Sequence, residues 1–257
     1  MNKSLEGKAA LVTGAAGAIG SDAVRVLLDR GARVCAVDAD KHGLELLKSL
    51  RGEGDRLVVH CGDVTDETHV RSFVKHAMDS FGRIDFFFNN AGIAGPVHRI
   101  PEYPLDKFLE VINVNVVGVF LGMKYVIPVM RDSGGGSILN TSSIAGLTGT
   151  PGVAAYTASK HAVIGLTRCA AVEWGRQNVR INAICPGSID SQMMRSLESK
   201  LATGSLDEIR GRLEASIPAM RYGTVEEISS VVAFLASEDA RYMNGSIITV
   251  DGGYTAR

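Results

Sequence analysis

Short apolar runs, many of them β-branched, alternate along this chain with longer stretches in which apolar positions recur every three or four residues. The first pattern is that of buried strands and the second that of amphipathic helices. Residues 8–13, 33–38, 57–61, 84–89, 137–141, 179–185 and 246–250 read as strands. Residues 19–30, 41–51, 67–81, 105–131, 153–174 and 224–236 read as helices, with Pro128 near the end of the longest. Local chemistry marks their ends. Gly31, Gly82 and Gly175 stand where a helix should stop, Asp66 is placed as an N-cap, and Thr224 with Glu227 has capping-box spacing.

Strands that alternate with helices imply parallel pairing through right-handed crossovers. The strands are apolar nearly throughout, as expected when both sheet faces are covered. Phe86-Phe87-Phe88 fits that pattern as core. No internal repeat, low-complexity stretch or linker divides the chain. The expectation is an α/β protein with a doubly wound parallel sheet of Rossmann type, a single domain over residues 1–257 with helices on both faces. In such sheets ligands bind at the carboxyl ends of the strands.

Composition removes several function classes. The 257 residues are 46% hydrophobic and carry a formal charge of −1, with no basic run to attract nucleic acid or an anionic membrane. The amino-terminal residues are polar, and the apolar stretch from Ala9 to Val12 is too short for a secretory signal. No segment reads as approaching the roughly 20 apolar residues of a membrane span. A soluble, cytoplasmic protein is expected. Cys35, Cys61, Cys169 and Cys185 form no C-x-x-C pair and have no His at metal spacing, so small buried thiols and no metal are expected.

The first strand runs into Thr13-Gly14-Ala15-Ala16-Gly17-Ala18-Ile19-Gly20. Small residues let backbone approach a pyrophosphate, and a helix beginning near Ile19 aims free N–H groups and its dipole at the anion. The spacing is G-x-x-x-G-x-G rather than the G-x-G-x-x-G dinucleotide fingerprint. Asp38 ends the second strand, where a carboxylate accepts hydrogen bonds from ribose hydroxyls and repels a 2′-phosphate. No Lys or Arg occupies positions 15, 16 or 39, which favours NAD over NADP.

Tyr156 and Lys160 stand at i, i+4 early in a helix, on one face. A free phenol with pKa of about 10 is a poor base at neutral pH, and a neighbouring ammonium favours its ionised form. Tyr103 and Lys107 have the same spacing, but Pro104 pushes Tyr103 toward extended backbone outside a helix. Other polar residues gather at strand ends: Ser142-Ser143 after one strand and Asn89-Asn90-Ala91-Gly92 after another. Asn113 and Asn115 sit in an otherwise apolar run, where buried amides need partners.

Together these motifs resemble the short-chain dehydrogenase/reductase family, of compact single-domain type, from the glycine turn to Val250-Asp251-Gly252-Gly253. The resemblance implies Tyr156 as general acid/base, with Lys160 lowering its pKa and holding the nicotinamide ribose. It implies Ser143, ahead of Ser142, on the reacting oxygen, and Asn115 steadying a water of the proton relay, with Asn113 structural. For the cofactor it implies Gly14, Ile19 and Gly20 at the turn, Asp38 at the ribose, Asp63 and Val64 at the adenine, and Asn90 and Gly92. Tyr156 and Lys160 join this set. Pro186, Gly187, Ile189 and Ser191 belong to the loop beside nicotinamide, where Ser191 replaces the more usual Thr. A homotetramer, or else a dimer, is also implied, with the long helices 105–131 and 153–174 as the contacts.

Residues 190–218 are the segment that closes over substrate in this family. Here it offers Met193, Met194, Leu197 and Leu201, flexible apolar side chains suited to an adaptable pocket. Val97, His98, Ile144, Leu147 and Val153 are candidates for the same pocket. No Arg stands clearly placed for a carboxylate, Arg99 and Arg195 being the nearest candidates. The expectation is an NAD-dependent oxidoreductase of neutral, fairly hydrophobic secondary alcohols and ketones, cyclic ones included. The alternatives are a 3-oxoacyl-thioester reductase, against which Asp38 argues, and a non-catalytic dinucleotide-binding sensor or scaffold, against which the complete Asn115, Ser143, Tyr156, Lys160 set argues.

Overall fold

The computed structural model describes residues 4–51, 55–201 and 205–256. Seven strands form one sheet: β1 (Ala9–Thr13), β2 (Arg33–Asp38), β3 (Leu57–Cys61), β4 (Phe86–Asn89), β5 (Gly136–Thr141), β6 (Val179–Pro186) and β7 (Ile247–Val250). Their order is β3-β2-β1-β4-β5-β6-β7 and every pairing is parallel. The chain winds outward from β1 to β3, then returns to β4 on the other side of β1. That reversal opens a crevice at the carboxyl ends of β1 and β4.

The helices are α1 (Ala18–Asp29), α2 (Lys41–Arg51), α3 (Glu67–Phe81), α4 (Leu105–Ile112), α5 (Gly118–Asp132), α6 (Ala154–Trp174), α7 (Gln192–Leu201), α8 (Leu206–Ala215) and α9 (Val225–Ala236). Strand alternation sorts the core into two layers. Leu11, Phe87 and Ile181 point toward α3, α5 and α6, meeting Phe73, Val126 and Val163. Val12, Phe86, Phe88 and Leu139 point toward α1, α2 and α9, meeting Val24, Leu47 and Val232. The triple Phe run thus feeds both layers, each ring contributing roughly 2–3 kcal/mol of transfer free energy on burial.

Several local rules hold. The Asp66 carboxylate accepts the Thr68 and His69 amides, Gly82 ends α3 at φ 76°, Gly31 has φ 98°, and the Thr224–Glu227 capping box is complete. Others fail for visible reasons. Gly175 keeps helical angles, α6 tightens into a 3₁₀ turn, and Asn178 at φ 61° makes the stop. Strand β4 starts at Phe86 rather than residue 84, because the Asp85 carboxylate, held by Arg83, takes the Ala9 amide at 2.8 Å.

The long helix expected over 105–131 is interrupted by a π turn at Asn113–Val117. Its whole span, Leu105–Asp132, is long and apolar enough by length and composition to cross a membrane, contrary to the expectation from sequence, and half of its apolar 18-residue window is buried inside the fold. The cysteines also depart from expectation: Cys35 and Cys185 are buried, but Cys61 and Cys169 are exposed. Among the described residues no group of three or more His, Cys, Asp or Glu could hold a metal ion.

On the edge strand β3, His60 meets His76 of α3 at 5.2 Å in a tilted ring contact, with Ser72 at 3.4 Å and His69 near. Burial first, then the two neighbouring imidazoles, lowers the His60 pKa below its usual 6.5. The unfolded chain therefore takes up this proton before the folded one, and stability falls as pH drops through the unfolded value of about 6.5. Thermal melts should show Tm declining from about pH 7 to about pH 5, and His60→Gln should flatten the decline. An unchanged slope in the variant would contradict this origin.

Candidate active site

The crevice begins with a backbone turn that leaves no room for side chains. Gly14 has φ 66°, and a Cβ there would lie 2.9 Å from Ala91 Cα across the switch point. A Cβ on Gly20 would come within 2.0 Å of the Gly14 carbonyl oxygen. Helix α1 starts at Gly17 with no side-chain cap, so its first amides are presented to an incoming anion, with Ile19 half-buried beside them. The Asp38 carboxylate holds this turn against β2, accepting the Ala16 amide on one oxygen and the Asp40 amide on the other, each at 2.9 Å. Each oxygen keeps acceptor capacity for a ribose hydroxyl. This cradle fits a dinucleotide pyrophosphate and its adenosine ribose.

The ends of β1, β4 and β5 are stitched through Asn90. Its amide nitrogens donate to Thr13 Oγ1 and to the Thr13 and Gly14 carbonyls, and its Oδ1 accepts from Thr141 Oγ1. Gly92 follows, against Asn115 and Lys160. Asp63 and Val64, expected at the adenine, have side chains that serve local structure. The Asp63 carboxylate accepts the Thr65 amide and hydroxyl, and Val64 packs against Gly118 at the end of the π turn.

Tyr156 and Lys160 face one way from the first turns of α6. The Lys160 Nζ lies 5.5 Å from the Tyr156 ring centre and donates to the Thr141 carbonyl at 2.8 Å. Lys160 is 2% exposed, and burial lowers its pKa to about 8. Burial also pushes the Tyr156 phenol above 10, and a hydrogen bond with Ser143 draws it partly back. In the protein alone desolvation therefore outweighs the Ser143 hydrogen bond on the phenol. Ser143 caps a 3₁₀ turn, accepting the Ala145 amide at 3.1 Å. Ser142 instead donates to the Lys160 carbonyl at 2.9 Å, a structural clip beneath α6.

Asn115 is fully buried, and its side-chain amide is bonded to protein groups. Its Oδ1 accepts the Ile93 amide at 2.8 Å; its Nδ2 donates to the Ile93 carbonyl and to Ser159 Oγ, each at 2.9 Å. Ser159 in turn donates to the Tyr156 carbonyl at 2.7 Å. The amide thus clamps the loop after β4 to the π turn and to α6. The π turn takes helix carbonyls out of the regular ladder, a feature frequent at functional sites. Asn113, expected buried, is exposed.

After β6 ends at Pro186, the Gly187 amide donates to the Val250 carbonyl, and Ile189 forms a one-residue bridge with Gly223. The Ser191 hydroxyl accepts the Met194 amide at 3.3 Å at the start of α7. Met193 is exposed, Met194 and Leu197 are half-buried, and the Leu201 side chain falls outside the described residues. Exposed His98 and buried Val153 bridge two loops flanking the crevice, with Val97, Ile144 and Leu147 nearby in chain. Arg195 is engaged by Asp190 at 2.7 Å, and Arg99 is exposed before a 3₁₀ turn. Tyr103 lies outside α4, and Lys107 pairs with Glu110 instead. Ser159, Glu198 and Tyr222 escaped the sequence reading, since no local pattern announces partners that distant.

The family profile described as Enoyl-(Acyl carrier protein) reductase matches residues 14–255. The protein is a member of the short-chain dehydrogenases/reductases. Levodione reductase of Leifsonia aquatica is 39% identical over 249 residues, 96% of this chain and 93% of that one. The (+)-borneol dehydrogenase 2 of Salvia officinalis is 38% identical, covering 98% of this chain and 90% of its own. A 3-oxoacyl-[acyl-carrier-protein] reductase of Thermotoga maritima is also 38% identical, covering 97% and 98%. Among solved structures, levodione reductase superposes with a TM-score of 0.95 at 37% identity, covering 98% and 99% of the two chains. An NAD⁺-bound xylitol dehydrogenase superposes with 0.93 at 36% identity, covering 97% and 99%.

The glycine turn makes its own test. Gly20→Ala must displace backbone at Gly14, so fluorescence titration should show NADH binding weakened by roughly ten-fold or more, the loss of one to two kcal/mol of pyrophosphate contacts. Affinity equal to wild type would show that the turn does not carry the phosphates.

Proposed function

We propose that the protein interconverts neutral, fairly hydrophobic secondary alcohols and ketones, cyclic ones included, with NAD as the hydride partner. The observation that carries this reading is the convergence of Ser143, Tyr156 and Lys160 at the carboxyl ends of β5 and β6, beside the glycine turn and Asp38. NAD supplies or accepts the hydride. Gly14, Ile19, Gly20 and Asp38 hold its pyrophosphate and adenosine ribose; Asp63, Val64, Asn90 and Gly92 border the adenosine and the second ribose. Pro186, Gly187, Ile189 and Ser191 border the nicotinamide.

In ketone reduction, the Ser143 and Tyr156 hydroxyls hold the substrate oxygen, and the phenol gives its proton to the oxygen as charge develops there. Burial keeps that phenol protonated and therefore competent as an acid at neutral pH. Lys160 holds the ribose with the N–H groups that Thr141 leaves free and carries the proton back toward Tyr156. Asn115 fixes the geometry of this set through its backbone clamp.

Helices α7 and α8, within residues 190–218, form the lid over the substrate side. Half-buried Met194 and Leu197 supply its apolar lining, and the loops joined by His98 and Val153 supply the opposite wall. Arg195 is neutralised by Asp190, consistent with a substrate lacking a carboxylate. Asp38, whose charge would repel the 2′-phosphate of NADP, favours NAD under this reading and under the rival 3-oxoacyl-thioester reading alike. A cytoplasmic homotetramer fits the exposed apolar side chains on the long helices: Leu105, Leu109, Phe120 and Val172.

A panel of cyclic, aromatic and aliphatic ketones and alcohols, followed by NADH absorbance, tests the reading. Tyr156→Phe should cut turnover by roughly 10²- to 10⁴-fold while NADH still binds. Because the phenol titrates above its ordinary value, alcohol oxidation should rise with pH through about pH 7 to about pH 10, and ketone reduction should fall over the same span. Turnover that survives Tyr156→Phe, or an oxidation rate flat in pH, would contradict these roles.

A further inference from the structure

We propose that Glu198 and Tyr222 form a polar latch that fixes α7 over the substrate side of the site, making Tyr222 a positioning residue for substrate. The proposal rests on the reading of α7 and α8 as the substrate lid. Along α7, Gln192, Met193, Arg195, Ser196, Ser199 and Lys200 are exposed, yet Glu198 is 5% exposed. A carboxylate is a costly group to bury, and a Leu or Met would cover this face more cheaply. Its presence calls for a directional role.

The Tyr222 hydroxyl supplies that role by donating to Glu198 Oε1 at 2.7 Å, a buried, charge-assisted hydrogen bond. Burial first, then this carboxylate, pushes the Tyr222 phenol up, so it stays protonated and remains the donor. The Arg210 guanidinium of α8 stacks 4.9 Å above the same ring. Arg210 also reaches Asp190 at 3.3 Å and Glu214 at 3.0 Å, and Asp190 accepts from Arg195 of α7 at 2.7 Å. Both lid helices are therefore tied to two short segments, one holding Asp190 and the other Tyr222.

The first is the loop proposed to border the nicotinamide, and the second pairs with it. Tyr222 precedes Gly223, whose amide donates to the Ser188 carbonyl at 3.0 Å and whose carbonyl accepts the Asp190 amide at 2.9 Å. Ile189 lies between those two bonds. An apolar lid face could slide along its seat, whereas hydrogen bonds and stacked charges fix one register. The latch sets where Met194 and Leu197 stand relative to a ketone held at Tyr156.

Tyr222→Phe removes one hydroxyl and keeps the ring for Arg210. Hydrogen exchange over residues 192–200, with and without NADH, reads the latch directly and needs no substrate. Loss of one charge-assisted hydrogen bond should speed exchange of α7 roughly ten-fold and raise KM for the best ketone by about the same factor, with kcat and NADH affinity within about two-fold. Glu198→Ala should reproduce these changes, the double variant should be no worse than either alone, and Glu198→Gln, which keeps an acceptor, should recover most of the loss. Unchanged α7 exchange, or exchange rising throughout the protein with KM and kcat equally impaired, would overturn the latch. If wild-type protein turns over no ketone in the panel, the substrate reading fails, and the exchange arms still decide the latch on their own.

Discussion

The Lys160 side chain is buried with the Thr141 carbonyl as its acceptor among the described residues, and that placement governs the architecture around it. An ammonium has three donors, and removing it from water with one acceptor is unfavourable enough to bring its pKa down to about 8. The protein holds it there by clipping α6 to β5 from both sides. The Lys160 carbonyl accepts from Ser142, and its ammonium donates to Thr141. Under the proposed function, the ribose of NAD would offer this ammonium further acceptors beside the Thr141 carbonyl.

The remaining parts are held to the same point by amides rather than by packing alone. Asn115 joins the loop after β4, the π turn and α6, and Asn90 joins β1, β4 and β5. Both residues stand at the switch point, where the chain reverses its winding and parallel strands leave their carboxyl ends without ladder partners. Polar side chains there replace strand pairing. They also make the geometry directional, which an apolar crevice would not be.

The fold was legible because its signals are local. The alternation of periods gave the parallel sheet, and Asp66, Gly82 and the Thr224–Glu227 pair marked helix ends as small-scale chemistry predicts. The glycine turn and Tyr156–Lys160 were legible for the same reason, each being a few residues long. What escaped depends on partners far apart in the chain. The Asp85 carboxylate displaces the start of β4. Glu198 on α7 looks like a surface residue until Tyr222, 24 positions on, is brought to it. The exposed Cys61 and Cys169 show the converse error, since apolar neighbours in sequence do not guarantee a buried position.

The central claim is that burial lowers the Lys160 pKa and that NAD, bound as proposed, raises it again. It is tested most directly by measuring the Lys160 pKa by NMR of isotopically labelled lysine side chains, assigned with Lys160→Met, in the protein alone and with NADH. The account predicts a value near 8 in the protein alone and a rise on adding NADH, as ribose hydroxyls become acceptors for the ammonium. A value near the ordinary 10.5 without cofactor, or one that NADH leaves unmoved, would contradict it.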